Sequence, residues 1–393
     1  MATGGNRAAR KDAGMAALAE TIRAARAGVP WWANRLPDPG PGPMTPEALS
    51  RLPLLRKADL PALQAAEPPF GGLAARPASG FARLFLSPGP ICEPGEGADA
   101  GAARALQAAG FGAGDILLNT FGYHLTPAGL MFDDAARAAG AAVIPAGGGN
   151  TDQIVTAMRA YRPTAYAGTP DYLNILLKAA DAADVPVALT RAFLTGAALP
   201  ASLRIAFTER GIEVFELYGT AELGILAYET PAHDGMVVND GFWPEIVAPG
   251  TGDPLPDGEV GELIVTPYRS GYPLIRFATG DLTAIVPSAD GIAPPRLRGW
   301  LGRADDAVKV KGMFLRPGML AEVLAAVPIP RARFVIDRLD ERDRLTLEVE
   351  GTETPAQSKA LQEAVRSVTR LGCDLRWCPP GNLPQGPAMV DLR

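Results

Sequence analysis

The chain is poor in the residues that carry metal and disulfide chemistry. Of its 393 residues only three are cysteine and two are histidine. His124 and His233 lie far apart, and Cys92, Cys373 and Cys378 form no CxxC pair. That spacing argues against a structural zinc site or a histidine-rich catalytic metal centre, and so few cysteines are expected of a reducing, cytoplasmic compartment. Excess positive charge is also missing. With 37 basic against 43 acidic residues the net charge is −6, which offers no basic face to nucleic acid and no polybasic patch to a membrane. No apolar run approaches a membrane span, and the small, basic N-terminus leads into no hydrophobic signal core, so secretion is not expected. Lysine is scarce: Lys11, Lys57, Lys178, Lys309, Lys311 and Lys359 are the six.

What is present is an ordinary globular composition, 47% apolar and 20% charged, with length for two or three domains. Residues 1–50 read as an arm, one helix and a proline-rich connector (Pro37, Pro39, Pro41, Pro43). From Ile116 short β-type runs alternate with helical stretches. Ala141–Pro145, Thr164–Gly168, Arg191–Thr195 and Glu213–Leu217 are expected strands, with helices over Thr151–Tyr161, Asp171–Ala180 and Pro200–Arg210. Such alternation predicts βαβ units and a mostly parallel sheet. After Tyr218 the helical pattern stops, and Glu245–Val247, Glu262–Thr266, Leu274–Phe277 and Leu282–Val286 read as strands of an antiparallel or barrel-like subdomain. Beyond Asp305 a small α+β unit is expected: a helix over Pro317–Ala326, strands at Arg333–Asp337 and Arg344–Glu350, an amphipathic helix over Pro355–Leu371 with Leu361, Val365 and Val368 on one face, and a last strand at Cys373–Trp377. The expected domains are therefore 1–304 and 305–393.

Several short motifs are ambiguous when read singly. Gly110-Phe111-Gly112-Ala113-Gly114 resembles a dinucleotide loop, but it precedes its strand where such a loop should follow one, so a plain turn explains it better. Gly147–Gly149 sits between a strand and a helix, where backbone N–H groups could meet an anion or simply turn the chain. Glu222, in Tyr218-Gly219-Thr220-Ala221-Glu222, is an ordinary loop carboxylate or a ligand; Asp281, in Thr279-Gly280-Asp281, is a turn residue or an acceptor. Gly302-Arg303-Ala304-Asp305-Asp306 is a charged linker or part of a site.

Taken together, in this order and spacing, the motifs resemble the adenylate-forming superfamily, most closely its phenylacetate–coenzyme A ligase branch. The resemblance runs from Leu52 to the C-terminus through LPLLRKADL, VIPAGGGNTDQI, TPDYLNIL, FELYGTAELG, GELIVTPYRSGYPLIRFATGDLT and GRADDAVKVKGMFLRPGMLAEVL. It implies a large α/β N-terminal domain of βαβ layers plus a small β subdomain, with a small, mobile α+β C-terminal domain. The implied chemistry joins a carboxylic acid to ATP, releasing pyrophosphate, and then passes the acyl group from AMP to a thiol such as that of coenzyme A. In that scheme Asp281 holds the ribose hydroxyls, since a carboxylate accepts both bonds. Arg303 offers its fork of donors to ribose or phosphate oxygens. Tyr218 stacks near the adenine, Gly219 and Thr220 line its approach, and Glu222 helps hold Mg²⁺, a cation that prefers carboxylate oxygen. Ser87 and Gly89 fall in the phosphate loop, Asp305 at the domain hinge, and His124 in a loop that approaches the acyl carboxylate. Phe121, Tyr123 and Tyr172 fit an aryl acid, although core packing accounts for them equally well. A small-molecule carboxylic acid is the expected partner, with a homodimer compatible.

The pattern breaks where ATP is handled. The family's loop S-S-G-T-T-G-K-P reads here Ser87-Pro88-Gly89-Pro90-Ile91-Cys92-Glu93-Pro94. Two prolines each remove an N–H, and Glu93 stands in place of the lysine. A charged Glu93 at ~4 Å from a phosphate charge, with an effective dielectric near 20, implies about 4 kcal/mol of repulsion. At the C-terminus the family's Gly-Lys pair becomes Gly386-Pro387. Ala221 and Ala198 replace a threonine and an acidic residue. These losses fall on adenylation, so the same residues also fit a degenerate paralogue that binds nucleotide or acyl-CoA without adenylating.

Overall fold

The structure, a computed structural model, describes residues 7–87, 90–97, 100–268, 271–287, 295–304, 306, 308–310, 313–339 and 342–393. Gly89 and Asp305, the expected loop glycine and hinge, lie outside the described residues, as do Pro88 and Lys311. Contacts divide the chain into two units: Met1–Thr279 with Thr283–Trp300, and Gly280–Leu282 with Leu301–Arg393. Among the described residues no helix is long and apolar enough to cross a membrane.

In the first unit, β1 (Leu55–Arg56) precedes a hairpin of β2 (Arg83–Ser87) and β3 (Ile91–Gly95). Then come β4 (Ile116–Asn119), β5 (Ala142–Pro145), β6 (Ala165–Gly168), β7 (Arg191–Leu194), β8 (Glu213–Thr220), β9 (Gly224–Tyr228) and β10 (Met236–Val238). Strands β5, β4, β6, β7 and β8 pair in parallel in that order, and β8, β9 and β10 continue the sheet antiparallel. Helices Thr151–Tyr161, Pro170–Ala182 and Ala201–Glu209 intervene, as the alternation predicts. Their apolar faces are buried: Ile154, Val155 and Met158 pack with Leu173, Leu176, Leu177 and Phe207 against one side of the sheet. Burial of such side chains contributes roughly 1.5–3 kcal/mol each.

The β subdomain differs from expectation in one respect. After β11 (Phe242–Val247) and β12 (Gly261–Pro267), a single strand β13 (Phe277–Thr283) runs through the Thr279-Gly280-Asp281 turn signal, where two strands, Leu274–Phe277 and Leu282–Val286, were expected. Two positions carry left-handed backbone: Arg276, just before β13, has φ 45°, and Gly280, within the signal itself, has φ 75°. The buried Arg276 guanidinium bonds the carbonyls of Ser50, Leu52 and Gly252 and pairs with Glu245 at 3.1 Å. These partners occupy it fully and tie the N-terminal segment to the subdomain. That segment is no loose arm between residues 7 and 50. Helix Arg7–Gly28 buries Leu18 and Ile22, and the Trp32 indole donates to the Pro273 carbonyl at 2.7 Å. Strand β1 pairs in parallel with β13, Leu55 opposite Phe277.

A two-residue strand β14 (Arg296–Leu297) closes the large sheet beside β10. In the second unit β15 (Val308–Val310) pairs with β16 (Met313–Leu315), and a four-stranded sheet has the order β19 (Asp374–Cys378), β18 (Arg342–Glu350), β17 (Ala332–Leu339), β20 (Met389–Asp391). The expected series is present, but Cys373–Trp377 is not the last strand. Strand β20 pairs in parallel with β17 because Met389 fits the core that Phe334 and Ile336 also fill. Helix Pro355–Thr369 starts where Thr354 Oγ1 accepts the Gln357 N–H, with proline at its first position. It buries Leu361 and Val365 as its periodicity predicts.

Candidate active site

Ligands of open α/β sheets bind beyond the carboxyl ends of the parallel strands, and the loops at those ends hold much of the expected site in the first unit. Asn119, ending β4, is fully buried; its amide donates to the Tyr123 hydroxyl and the Gly129 carbonyl, both at 2.8 Å. Tyr123 donates in turn to Asp133 at 3.1 Å, and burial with the nearby Asp133 raises the phenol's pKa well above its ordinary value. Phe121 stacks on Phe132 with centroids 4.8 Å apart. A Cβ on Gly196 would sit 3.5 Å from Thr169 and 3.9 Å from Phe121, so the ends of β4, β6 and β7 approach closely. His124 is exposed in the loop after β4, where its carbonyl accepts the Thr126 N–H at 2.8 Å. Gly147–Gly149 is a packing turn: Gly147 N–H goes to the Asn119 carbonyl and Gly149 N–H to the Tyr172 hydroxyl at 3.1 Å.

Tyr218, Gly219 and Thr220 end β8 at a bulge against β9. A Cβ on Gly219 would stand 2.5 Å from the Gly224 carbonyl oxygen, so only glycine lets the two strands approach here. Thr220 Oγ1 accepts the Leu223 N–H and closes the turn that carries Glu222.

Glu222 is not an open loop carboxylate. Its side chain is 0% exposed, and Lys57 Nζ lies 2.9 Å from Oε1 and 3.2 Å from Oε2. Lys57 follows β1 in a single 3₁₀ turn, and the pairing of β1 with β13 brings this segment in from 165 residues away. Both oxygens of Glu222 lie against the ammonium and away from solvent. The Mg²⁺ that the resemblance assigns to Glu222 therefore does not fit the carboxylate as it stands.

Beside this pair lies the altered phosphate loop. Ser87 is turned inward and its hydroxyl donates to Glu93 Oε1. Glu93 is 1% exposed, and its Oε2 has no hydrogen-bond partner among the described residues. Burial first, and then the nearby Glu222, raise its pKa from 4.5 to about 7 against the opposing pull of Ser87 and Lys57. The Tyr272 hydroxyl is buried in the same region near Gln64, and burial raises its pKa. Gln64 holds β3 at both ends of its amide, accepting from Cys92 N at 2.7 Å and donating to Cys92 O at 2.8 Å. The expected repulsion assumed a charged, outward Glu93; a buried group titrating near neutrality exerts it only once ionised.

In the second unit Arg303 Nη1 lies 3.0 Å from Asp281 Oδ1, and an antiparallel bridge joins the two backbones. Ala304 N–H to Gly280 O at 2.8 Å reinforces the bridge. The pair that motif order placed 22 residues apart is thus assembled in one place. Sequence reasoning missed Lys57 and the burial of Glu93. LPLLRKADL carried the signal, but nothing local says where its lysine points.

The first unit is thus an α/β fold on a largely parallel sheet, and the second is a separate α+β fold that carries the Asp281–Arg303 bridge. A family model described as AMP-binding enzyme matches residues 102–268. A phenylacetate–coenzyme A ligase of Thermus thermophilus is 32% identical over 329 residues, covering 78% of this chain and 73% of that protein. The Escherichia coli phenylacetate–coenzyme A ligase is 29% identical over 304 residues, 72% and 69% of the two chains. The fold matches a 2-hydroxyisobutyryl-CoA ligase crystallised with 2-HIB-AMP and CoA at TM-score 0.84 and 22% identity, covering 98% of this chain and 92% of that one. The chain belongs to the adenylate-forming acid–coenzyme A ligases, in the phenylacetate–coenzyme A ligase branch.

Proposed function

We propose that this protein transfers the acyl group of a carboxylic acid, carried as its adenylate, to the thiol of coenzyme A, and that its ATP-dependent first step is the weak one. The observation that carries this reading is the preassembled Asp281–Arg303 pair, set against a phosphate loop whose serine is spent on Glu93. Asp281 accepts the ribose hydroxyls and Arg303 donates to ribose or phosphate oxygens. Tyr218 gives the adenine a flat face, and Gly219 and Thr220 shape the approach. His124 meets the acyl carboxylate, and the aromatic groups Phe121, Tyr123 and Tyr172 favour an aryl acid. Ser87 and Gly89 are what remains of the phosphate loop, and Asp305 is the hinge. The reading of the chain as a nucleotide- or acyl-CoA-binding paralogue without adenylation is favoured by Pro387 at the position of the family's lysine.

The test separates the half-reactions. ATP–pyrophosphate exchange over a panel of aryl and short-chain acids reports the first, and acyl-adenylate supplied with coenzyme A reports the second. Thioester from supplied adenylate with slow or absent exchange supports the proposal. Exchange as fast as thioester formation overturns it, and AMP binding with neither reaction supports the paralogue.

A further inference from the structure

Lys57, unlike its partner Glu222, stands outside the residues that motif order assigned to the site. Glu222 has no solvent-facing oxygen, and its two oxygens share one ammonium at 2.9 and 3.2 Å. A buried carboxylate left without a counter-charge is strongly unfavourable, so the pair is not incidental. Lys57 is the more accessible partner, 34% exposed against 0% for Glu222. Its stem can withdraw toward water, whereas Glu222 is fixed in the short turn that Thr220 closes. The charges of Lys57 and Glu222 both act on Glu93 in the hairpin.

We infer that Lys57 is the resident counter-ion of Glu222, and that a divalent cation gains this carboxylate only by displacing the ammonium. A cation placed on either oxygen would crowd a positive charge already in contact with both, so occupancy by one excludes the other. Lys57 is thereby a positioning residue: it holds Glu222 charged and oriented, and it sets the cation concentration at which the carboxylate changes partner. The inference rests on the contact of Lys57 with both Glu222 oxygens and not on turnover, so the test uses metal alone.

Mn²⁺ binding to the full chain without nucleotide is measured by the electron paramagnetic resonance of free Mn²⁺. Lys57→Met and the polar, neutral Lys57→Gln should each bind Mn²⁺ about ten- to a hundredfold more tightly than wild type, the equivalent of one lost charge-assisted contact. Lys57→Arg should stay near wild type, and adding Glu222→Gln to either neutral variant should abolish the gain. Lys57→Gln keeps a hydrogen-bond donor on a somewhat shorter side chain and guards against a folding failure in Lys57→Met. Failure of the folded neutral variant to bind Mn²⁺ more tightly, or a gain that survives Glu222→Gln, overturns the inference. Absence of thioester from supplied acyl-adenylate and coenzyme A, with the expected Mn²⁺ pattern, would weigh on the functional reading and leave this one standing.

Discussion

Replacing Glu93 with glutamine isolates the cost of the altered phosphate loop. The amide preserves shape and keeps an acceptor for the Ser87 hydroxyl, but it cannot ionise. In the native protein Glu93 titrates near 7, whereas its ordinary value is 4.5. The folded state therefore holds a proton that the unfolded chain has released between those two values. Where the native state binds more protons, stability falls as pH rises. The fall begins near pH 4.5 and levels off above about 7, and a rise of this size corresponds to about 3 kcal/mol. Glu93→Gln escapes that loss. Wild type and variant should be close at pH 5, and the variant should be more stable at pH 8 by up to about 3 kcal/mol, or roughly 4 °C in melting temperature. Comparing the two proteins by thermal denaturation from pH 5 to 9 cancels other titrating groups. A difference that stays flat across this range would refute the assignment of Glu93 as a buried group titrating near neutrality. So would a variant less stable than wild type at pH 8.

Two further outcomes follow from the geometry. Asp281→Ala should weaken calorimetric AMP binding by about ten- to a hundredfold, the cost of one charge-assisted partner, and unchanged affinity would place the nucleotide elsewhere. Arg276→Met strands the buried Glu245 and frees the Ser50, Leu52 and Gly252 carbonyls, so denaturant titration should show about 3–5 kcal/mol of destabilisation. The double variant Arg276→Met/Glu245→Met should recover much of that loss, and equal stability of the single variant and wild type would show the clamp to be idle.

Much of this protein could be read from its order of residues alone. Apolar periodicity placed the helices Thr151–Tyr161 and Pro355–Thr369, and the alternation of β and α runs implied the parallel sheet, because both depend on local spacing. The Thr279-Gly280-Asp281 and Gly302-Arg303 motifs pointed to a nucleotide-type site only through their resemblance to a known family. Tertiary structure decided what local spacing cannot express. The sequence places Lys57 165 residues from Glu222, and only the pairing of β1 with β13 brings its segment in. Glu93 in a proline-rich loop reads as an exposed charge, yet the β2–β3 register buries it, pairing Phe85 with Glu93 and Ser87 with Ile91 and leaving Ser87 to bond the carboxyl. Strand β13 runs through an apparent turn signal, with Gly280 at φ 75° inside it. Burial and charge pairing depend on which distant segments share a dry interior, so the electrostatic character of this site emerges only once the chain has folded.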